Sequence, residues 1–266
     1  MNRVNVLFLH GFMGHRDFFS AIATAVRSQI PNACATSLPL PGHEGLTDEL
    51  PISPMPAMFD EATTAVAANA QPSAQNWLVG YSMGARLALG TLLNHTGQFH
   101  GAVLFSVHPG IEDPEQRTQR LSWERELQQK LDRSQMMPLI EYFESLPVFD
   151  SQRRLPQPLL DAQRCTRLSH HPERISQCIA ALGLGHSPDM TSLLDTITIP
   201  VLLITGELDA TYTRIAAKIA NHRSNIEHRI INDVGHNPIL EAPQKSTEQV
   251  IAFIQKHSAT TRSSPH

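Results

Sequence analysis

The amino-acid sequence predicts an α/β fold: a mostly parallel, doubly wound sheet with an inserted helical cap. Short apolar runs alternate with stretches of helical spacing, and the alternation stops over one long helix-rich segment, residues 110 to about 195. Of the 266 residues, 41% are hydrophobic and 17% are charged. This composition supplies a large core and gives no sign of wholesale disorder. We therefore expect one domain over residues 1–266.

Six apolar runs are the predicted strands, because they are short and have helical stretches between them, as in a covered parallel sheet. They cover residues 4–9, 33–37, 77–79, 102–106, 201–205 and 227–231. The predicted helices outside the cap cover residues 16–28, 55–70, 83–94, 213–221 and 244–256. The strand, helix, strand order implies right-handed crossovers in a doubly wound sheet.

The segment from residue 110 to about 195 carries helix signals and few convincing strands. Asp113-Pro114-Glu115 combines a capping residue, a first-turn proline and an acidic first turn. We expect a helical cap inserted between two strands of the sheet. Such a cap lies over the strand ends, where ligands bind in folds of this kind.

Charge and hydropathy exclude several classes of partner. The formal net charge of −4 gives no electrostatic reason to expect nucleic acid or an anionic membrane as a partner. No apolar stretch approaches the roughly 20 residues needed to cross a bilayer. The short run at residues 4–9 leads into His10-Gly11 without a cleavage site, so it indicates a strand and not a signal peptide. We expect a cytoplasmic protein that is a monomer or a weak homo-oligomer.

Neither a metal nor a cofactor is expected. The three cysteines, Cys34, Cys165 and Cys178, are too few and too irregularly spaced for a disulfide framework or a thiolate zinc site. We expect them to be buried free thiols. The adjacent His170-His171 pair is interpreted as two polar side chains exposed to solvent. The sequence contains no His-Glu-x-x-His, paired Cys-x-x-Cys, EF-hand or phosphate-binding glycine motif.

Gly80-Tyr81-Ser82-Met83-Gly84 follows an apolar run and precedes a helical stretch. This is the context of a nucleophile elbow, in which a serine sits on a strained turn between a strand and a helix. The flanking glycines allow the neighbouring backbone to approach closely. The alternative is a simple glycine-tolerant turn, but the strand and helix on either side favour the elbow. Ser82 is therefore the predicted reactive serine.

A reactive serine needs a histidine held by a carboxylate, and in this fold the order along the chain is Ser, Asp or Glu, His. Asp209 follows the predicted strand 201–205, and His236 follows the last predicted strand. We predict that these residues complete a triad with Ser82. Glu207 and Asp233 are rival carboxylates.

The backbone amides of Phe12 and Met83 are the predicted oxyanion hole. Such a hole needs two N–H groups aimed at developing negative charge. Met83 directly follows the serine, and Phe12 lies in the loop after the first strand, within Leu9-His10-Gly11-Phe12-Met13-Gly14. The alternative for His10-Gly11 is a plain strand terminator.

Taken together, these residues resemble the α/β-hydrolase superfamily. A narrower resemblance is to the 2-succinyl-6-hydroxy-2,4-cyclohexadiene-1-carboxylate synthases of menaquinone biosynthesis. The segments that carry it are Gly80 to Arg86, His108-Pro109-Gly110, Glu115 to Arg120, Arg167 with His171-Pro172, Gly183-Leu184-Gly185, and Ser187-Pro188-Asp189.

The resemblance implies a lyase reaction that eliminates pyruvate. Ser82, activated by His236 and Asp209, would remove a ring proton, and the amides of Phe12 and Met83 would hold charge on the succinyl carbonyl oxygen. The substrate is a small molecule with three carboxylates.

The resemblance also implies the substrate contacts. Arg86, Arg120 and Arg167 would bind carboxylates, for which planar, permanently charged guanidinium groups are suited. Tyr81 resembles a substrate contact of the family. Phe143 stands where the family often has tryptophan and would line an apolar wall.

Several alternatives stay open from the sequence. Arg86 could form an ion pair across its own helix, and Arg120 and Arg167 could be ordinary solvated cap residues. Phe143 and Tyr81 could serve packing alone. A carboxylesterase or thioesterase would share the triad, with Ser82 as nucleophile. A binding protein without activity is disfavoured because every triad position is occupied.

One segment departs from the superfamily pattern. The loop after the second strand reads Ser37-Leu38-Pro39-Leu40-Pro41-Gly42-His43-Glu44-Gly45, without the usual acidic residue ahead of the Leu-Pro-Gly-His-Gly motif. This departure raises the question of how the loop is anchored.

Overall fold

A computed structural model describes residues 3–43, 55–131 and 135–260. In these ranges the strands are β1 Arg3–Leu9, β2 Ala33–Leu38, β3 Ala74–Tyr81, β4 Gly101–Phe105, β5 Val201–Gly206 and β6 Ile226–Ile231. They form a single parallel sheet in the order β2-β1-β3-β4-β5-β6. The chain order reverses between β1 and β3, as in a doubly wound fold.

The helices are α1 Ser20–Gln29, α2 Met55–Ala67, α3 Met83–Asn94, α4 Pro114–Lys130, α5 Met137–Ser145, α6 Gln157–Leu168, α7 Pro172–Leu182, α8 Ala210–Ala220, α9 Pro238–Glu241 and α10 Pro243–Thr260. Short 3-10 helices cover Arg16–Phe19, Pro147–Arg154 and Thr191–Thr196. The predicted strands and helices outside the cap are all present, with boundaries shifted by a few residues.

Each face of the sheet has its own apolar core. Leu78 of β3 packs with residues of α2, α3 and α8 on one face, whereas Trp77 and Val79 pack with α1 and α10 on the other. Successive side chains of a strand point to opposite faces, so β3 contributes to both cores. Every residue of β3 is buried, which matches a parallel sheet covered on both sides.

Strand β3 begins at Ala74, three residues before the predicted strand 77–79. The prediction missed its start because Gln75 and Asn76 are polar. Asn76 forms a buried amide network instead of pointing to solvent. Its Oδ1 accepts hydrogen bonds from Asn5 Nδ2 at 2.9 Å and from the amide of Gln71 at 2.8 Å. Polarity alone made this part of the strand resemble a loop.

Helices α4 to α7 lie between β4 and β5, within the predicted cap segment. The predicted helix start is confirmed, since Asp113 caps α4 by accepting from the amide of Gln116 at 2.8 Å. Leu139 and Ile175 of the cap form a third apolar cluster with Met13 of the loop after β1. The cap limits of about 110 and 195, and one domain over residues 1–266, stay predictions.

Two expectations about burial are wrong in part. Cys178 is buried, but Cys34 is only partly buried and Cys165 is exposed. His170 is 6% exposed and packs edge-on against His43, so only His171 is a surface residue. Among the described residues, no helix is both long and apolar enough to cross a membrane.

Candidate active site

Ser82 lies at a sharp turn between β3 and α3. Its backbone has φ 51° and ψ −110°, a conformation that costs an L-residue free energy and is found mostly at functional sites. A Cβ at Gly84 would lie 2.2 Å from the carbonyl oxygen of Leu9, and one at Gly80 would lie 2.7 Å from the Cα of Ala85. The two glycines are therefore required for the turn to pack against the sheet.

The structure brings Ser82, His236 and Asp209 into one hydrogen-bonded chain. Ser82 Oγ lies 3.1 Å from His236 Nε2, and His236 Nδ1 lies 2.6 Å from Asp209 Oδ2. The histidine and aspartate side chains are 5% and 3% exposed. With Nδ1 donating to the carboxylate, Nε2 is left to accept the hydroxyl proton of the serine. This is the geometry that serine activation requires.

Neither rival carboxylate takes the place of Asp209. Glu207 Oε2 accepts from the amide of Asp233 at 3.1 Å, and this hydrogen bond joins the two loops that carry these residues. Asp209 also caps α8, because its Oδ1 accepts from the amide of Tyr212 at 3.2 Å. One oxygen fixes the carboxylate while the other meets His236.

Phe12 and Met83 line the same cavity as Ser82. Over residues 3–43, 55–131 and 135–260, neither amide has a hydrogen-bond acceptor. The loop after β1 forms a tight turn in which the amide of Gly14 donates to the carbonyl of Gly11 at 3.0 Å. Two amides that lack an acceptor among the described residues, near the predicted reactive serine, can receive an oxyanion.

His43 anchors this loop from the segment after β2, where the sequence departs from the superfamily pattern. Its Nε2 accepts from the amide of Met13 at 2.9 Å, and its Nδ1 donates to the carbonyl of Pro41 at 3.0 Å. Burial lowers the pKa of His43 well below its usual value, so the ring stays neutral and Nε2 stays an acceptor. Glu44 and Gly45 lie outside the described residues.

A cavity of about 1120 Å³ opens between the sheet and the cap. It is lined by Ser82 and His236 together with every predicted substrate contact: Tyr81, Arg86, Arg120, Phe143 and Arg167. The structure therefore brings all the predicted site residues to one cavity.

Arg86 points from α3 to the cap side of this cavity and is 6% exposed. Its Nε donates to Ser187 Oγ at 2.9 Å and its Nη2 donates to the carbonyl of Leu182 at 2.5 Å. No carboxylate of the described residues lies within 4.0 Å of it, so the ion pair across its own helix is wrong. Burial lowers the pKa of Arg86 to about 10, which leaves it charged at neutral pH. A buried cation without a counter-charge is a place for an anion.

Two contacts hold the planar guanidinium group of Arg120, one at its edge and one at its face. Its Nε donates to Glu124 Oε1 at 2.7 Å, and its guanidinium lies 4.2 Å from the centroid of the Trp123 ring. Glu124 is buried and also accepts from the amide of Gly185. The Nη groups of Arg120 make no hydrogen bond with the described residues. Their edge is the one that binds a carboxylate with two parallel hydrogen bonds.

Arg167 also has a carboxylate partner, but it meets that partner through an Nη group. Its Nη1 donates to Glu144 Oε1 at 3.0 Å, and the side chain is 8% exposed. It is therefore no solvated surface residue. Burial lowers the pKa of Arg167, while Glu144 opposes this shift.

Aromatic rings form the remaining wall of the cavity. The ring of Phe143 lies 5.5 Å from that of Phe12 and 5.2 Å from that of Phe149. Tyr81 stacks on Phe18 with ring centroids 5.2 Å apart, and burial raises the pKa of its phenol well above the usual value. Both predicted aromatic contacts therefore line the cavity.

Sequence reasoning missed Tyr212. Its ring lies edge-on to His236 with centroids 4.4 Å apart, and it lines the cavity. Burial raises the pKa of its phenol, whereas the positive charges of Arg120 and Arg86 lower it. Its position three residues after Asp209, in the first turn of α8, was the only available signal.

A serine elbow and a triad in chain order Ser, Asp, His on a doubly wound sheet define a class of enzyme fold. The profile of the alpha/beta hydrolase family matches residues 6–249, and the chain belongs to this family.

Within the family, a more specific likeness is found. The chain is 26% identical over 238 residues to the 2-succinyl-6-hydroxy-2,4-cyclohexadiene-1-carboxylate synthase of Klebsiella pneumoniae (strain 342), covering 90% of this chain and 88% of that protein. The structure of MenH from S. aureus superposes with a TM-score of 0.89 at 25% identity, covering 97% of this chain and 96% of that one. A thermophilic esterase from Thermogutta terrifontis gives a TM-score of 0.77 at 22% identity, covering 96% and 91%, which shows the shared fold alone.

Proposed function

We propose that this chain is a carbon–oxygen lyase of menaquinone biosynthesis, a 2-succinyl-6-hydroxy-2,4-cyclohexadiene-1-carboxylate synthase. It eliminates pyruvate from 2-succinyl-5-enolpyruvyl-6-hydroxy-3-cyclohexene-1-carboxylate. One observation carries the proposal: a single cavity combines the Ser82-His236-Asp209 chain with Arg86, a buried cation that forms no ion pair with a carboxylate in the part of the chain that the structure describes. A hydrolase of neutral esters has no need of such a cation. A substrate with three carboxylates does.

The three arginines of the cavity contribute unequally to binding the substrate carboxylates. In the described ranges, Arg86 presents a buried charge without an ion-pair partner, and Arg120 presents the edge of its guanidinium with both Nη groups free of protein acceptors. Arg120 pairs with Glu124 through Nε and Arg167 pairs with Glu144 through Nη1, so each contributes less net attraction for an anion than Arg86 does. Arg86 is therefore the main carboxylate contact, followed by Arg120 with its open Nη edge, and Arg167 is the secondary one.

The triad acts as a base in this reaction. Ser82 Oγ takes the ring proton as its own hydroxyl proton passes to His236 Nε2, and the Asp209 carboxylate stabilises the resulting imidazolium. The electron pair left on the ring carbon moves into the succinyl carbonyl and forms an enolate. As the enolate collapses, the carbon–oxygen bond to the enolpyruvyl group breaks and that group leaves as pyruvate after gaining a proton.

The enolate oxygen needs stabilisation at the moment when the proton leaves. The amides of Phe12 and Met83 supply two donors that are already in place, so no reorganisation is needed during the reaction. The aromatic wall of Tyr81 and Phe143 lowers the local polarity, which strengthens these hydrogen bonds. The reaction moves a proton and a leaving group without net electron transfer, so it calls for no redox cofactor. A cytoplasmic location and a monomeric or weakly self-associating state stay predictions.

The test is release of pyruvate by the purified protein from the enolpyruvyl substrate. A coupled lactate dehydrogenase assay measures the pyruvate. We expect stoichiometric pyruvate, and loss of activity in Ser82→Ala. Hydrolysis of simple carboxylic esters or thioesters without any pyruvate release would replace the lyase with an esterase that uses Ser82 as nucleophile.

A further inference from the structure

The loop that carries His236 joins β6 to α9, and one carboxylate holds its backbone. Glu241, the last residue of α9, accepts hydrogen bonds from the amides of Gly235 and Asn237, the two neighbours of His236. Its Oε2 lies 2.8 Å from the amide nitrogen of Gly235, and its Oε1 lies 3.2 Å from that of Asn237. A single side chain therefore fastens the backbone on both sides of the candidate base.

The short helix α9 turns Glu241 back toward this loop. Asn237 caps the helix, with its Oδ1 accepting from the amide of Leu240 at 3.1 Å, and the amide of Glu241 donates to the carbonyl of Asn237 at 2.9 Å. The arrangement is a capping box in which the acidic residue stands one position later than usual. The Glu241 carboxylate also accepts from the amide of Gly235, which precedes the N-cap residue Asn237. Helix capping alone does not require this second contact.

Two further contacts leave this backbone little freedom. The hydroxyl of Ser106 donates to the carbonyl oxygen of His236 at 2.8 Å. A Cβ at Gly235 would lie 2.0 Å from Ser151 Oγ and 3.3 Å from Glu241 Oε1, so the cap and the carboxylate both close on this glycine. The main chain around His236 is thus held on its two amides and its carbonyl.

We propose that Glu241 is a positioning residue that fixes the His236 imidazole for the triad by holding the two amides that flank it. The imidazole must meet Ser82 and Asp209 at the same time, at 3.1 and 2.6 Å. Such a constellation tolerates errors of only about 0.5 Å. Since the imidazole is rigid, its placement follows the backbone that carries it. The proposal rests on the triad role of His236 in the proposed function, but not on the identity of the substrate.

Glu241→Gln tests this role with little change in size. The variant presents an NH2 group to one of two amides that both need an acceptor, so at least one hydrogen bond is lost. The measurement is the rate at which a neutral fluorophosphonate labels Ser82. In that reaction Oγ displaces fluoride from phosphorus while its proton passes to His236. We expect the rate to fall on the order of tenfold to a hundredfold.

The labelling reaction uses no substrate carboxylate, so it separates this proposal from the proposed function. If the wild type labels rapidly but releases no pyruvate, the synthase assignment fails while the Glu241 comparison still holds. A second readout is the downfield proton NMR signal of the His236 Nδ1–H group, which donates to Asp209. We expect it to weaken or shift in Glu241→Gln.

Glu207→Gln is the matched control, because Glu207 also accepts a hydrogen bond from a backbone amide, that of Asp233. Asp233 is not a neighbour of His236 in the chain. We expect wild-type labelling and an unchanged NMR signal. If Glu241→Gln does not fold, Glu241→Asp keeps the charge but withdraws both oxygens by one methylene, and we expect slow labelling in that folded variant. A folded Glu241 variant that labels at the wild-type rate, or a control that slows as much, overturns the proposal.

Discussion

Arg86 donates from Nε to the hydroxyl oxygen of Ser187 at 2.9 Å, and the same hydroxyl donates to the carbonyl oxygen of Gly183 at 2.8 Å. Because the hydroxyl proton is committed to Gly183, the oxygen lone pairs face the guanidinium. Arg86 is therefore oriented by neutral partners, and no carboxylate of the described residues forms an ion pair with it. This is how a fixed anion site differs from a structural ion pair.

Replacing Arg86 with alanine tests that anion site. We expect kcat/KM for pyruvate release to fall by about a hundredfold or more, since a charge-assisted bond to a substrate carboxylate is lost. Arg86→Lys should recover little of this, because an ammonium group cannot reproduce the planar set of donors. The exposed Arg27 is the control, and its alanine variant should be unaffected. Near-wild-type kinetics of Arg86→Ala would remove Arg86 from the substrate site.

The carboxylate of the triad is tested by Asp209→Asn. We expect the fold to persist while kcat falls by orders of magnitude, because the amide cannot hold His236 in the same tautomer or stabilise its protonated form. The rival residue supplies the comparison: Asp233→Asn should keep activity. The opposite pattern, with a folded and inactive Asp233→Asn, would show that Asp209 is the wrong carboxylate.

Tyr212→Phe removes a single hydroxyl from the cavity. The phenol lies close enough to Arg86 and Arg120 for their charges to act on its pKa, so it is placed to add a neutral donor to a bound carboxylate. We expect KM to rise roughly tenfold with little change in kcat, as for a hydrogen bond to a charged group. An unchanged KM would leave Tyr212 as a packing partner of His236 only.

The stability of the protein should fall in mild acid, and His10 is one of the buried histidines responsible. Burial lowers the pKa of His10 to about 4 from its usual value of 6.5. Between these values the unfolded chain binds a proton that the folded chain does not, so stability is full above pH 6.5 and falls as the pH drops toward 4. At about 1.4 kcal/mol per pH unit, the loss is roughly 3 kcal/mol.

Urea unfolding of His10→Asn across this range checks the effect. The asparagine amide can replace the Nδ1 donor to the Gly11 carbonyl, which lies 2.9 Å from the ring, but it cannot titrate. We expect a flatter dependence of the free energy of unfolding on pH than in the wild type. A variant of the exposed His171, His171→Asn, should keep the wild-type slope. Equal slopes in all three proteins would contradict the assignment to His10.

The sequence predicts the strands, the elbow and the triad because each has a local signature. Ser82 is marked by its flanking glycines, and His236 is marked by its place after the last strand. Glu124 has no such mark, because its role depends on a contact that only the folded chain creates. Glu241 binds amides only four and six residues away, but it stands one position later than the usual capping-box acid and so matches no familiar motif. Glu124 meets Gly185 from 61 residues away. The acidic residue missing after β2 also did not indicate a loosely held loop, because His43 of that segment accepts a hydrogen bond from the amide of Met13.

The last prediction separates lyase from hydrolase at Ser82. A serine that acts as a base never becomes attached to the natural substrate, whereas a nucleophilic serine passes through an acyl-enzyme that rapid quenching can trap. Ser82→Ala is inactive in either case and decides nothing alone. We expect one pyruvate per turnover, no mass added to Ser82 in quenched samples, and no oxygen from labelled water in a product carboxylate. A trapped acyl-Ser82 together with label in the product would instead assign this cavity to ester or thioester hydrolysis.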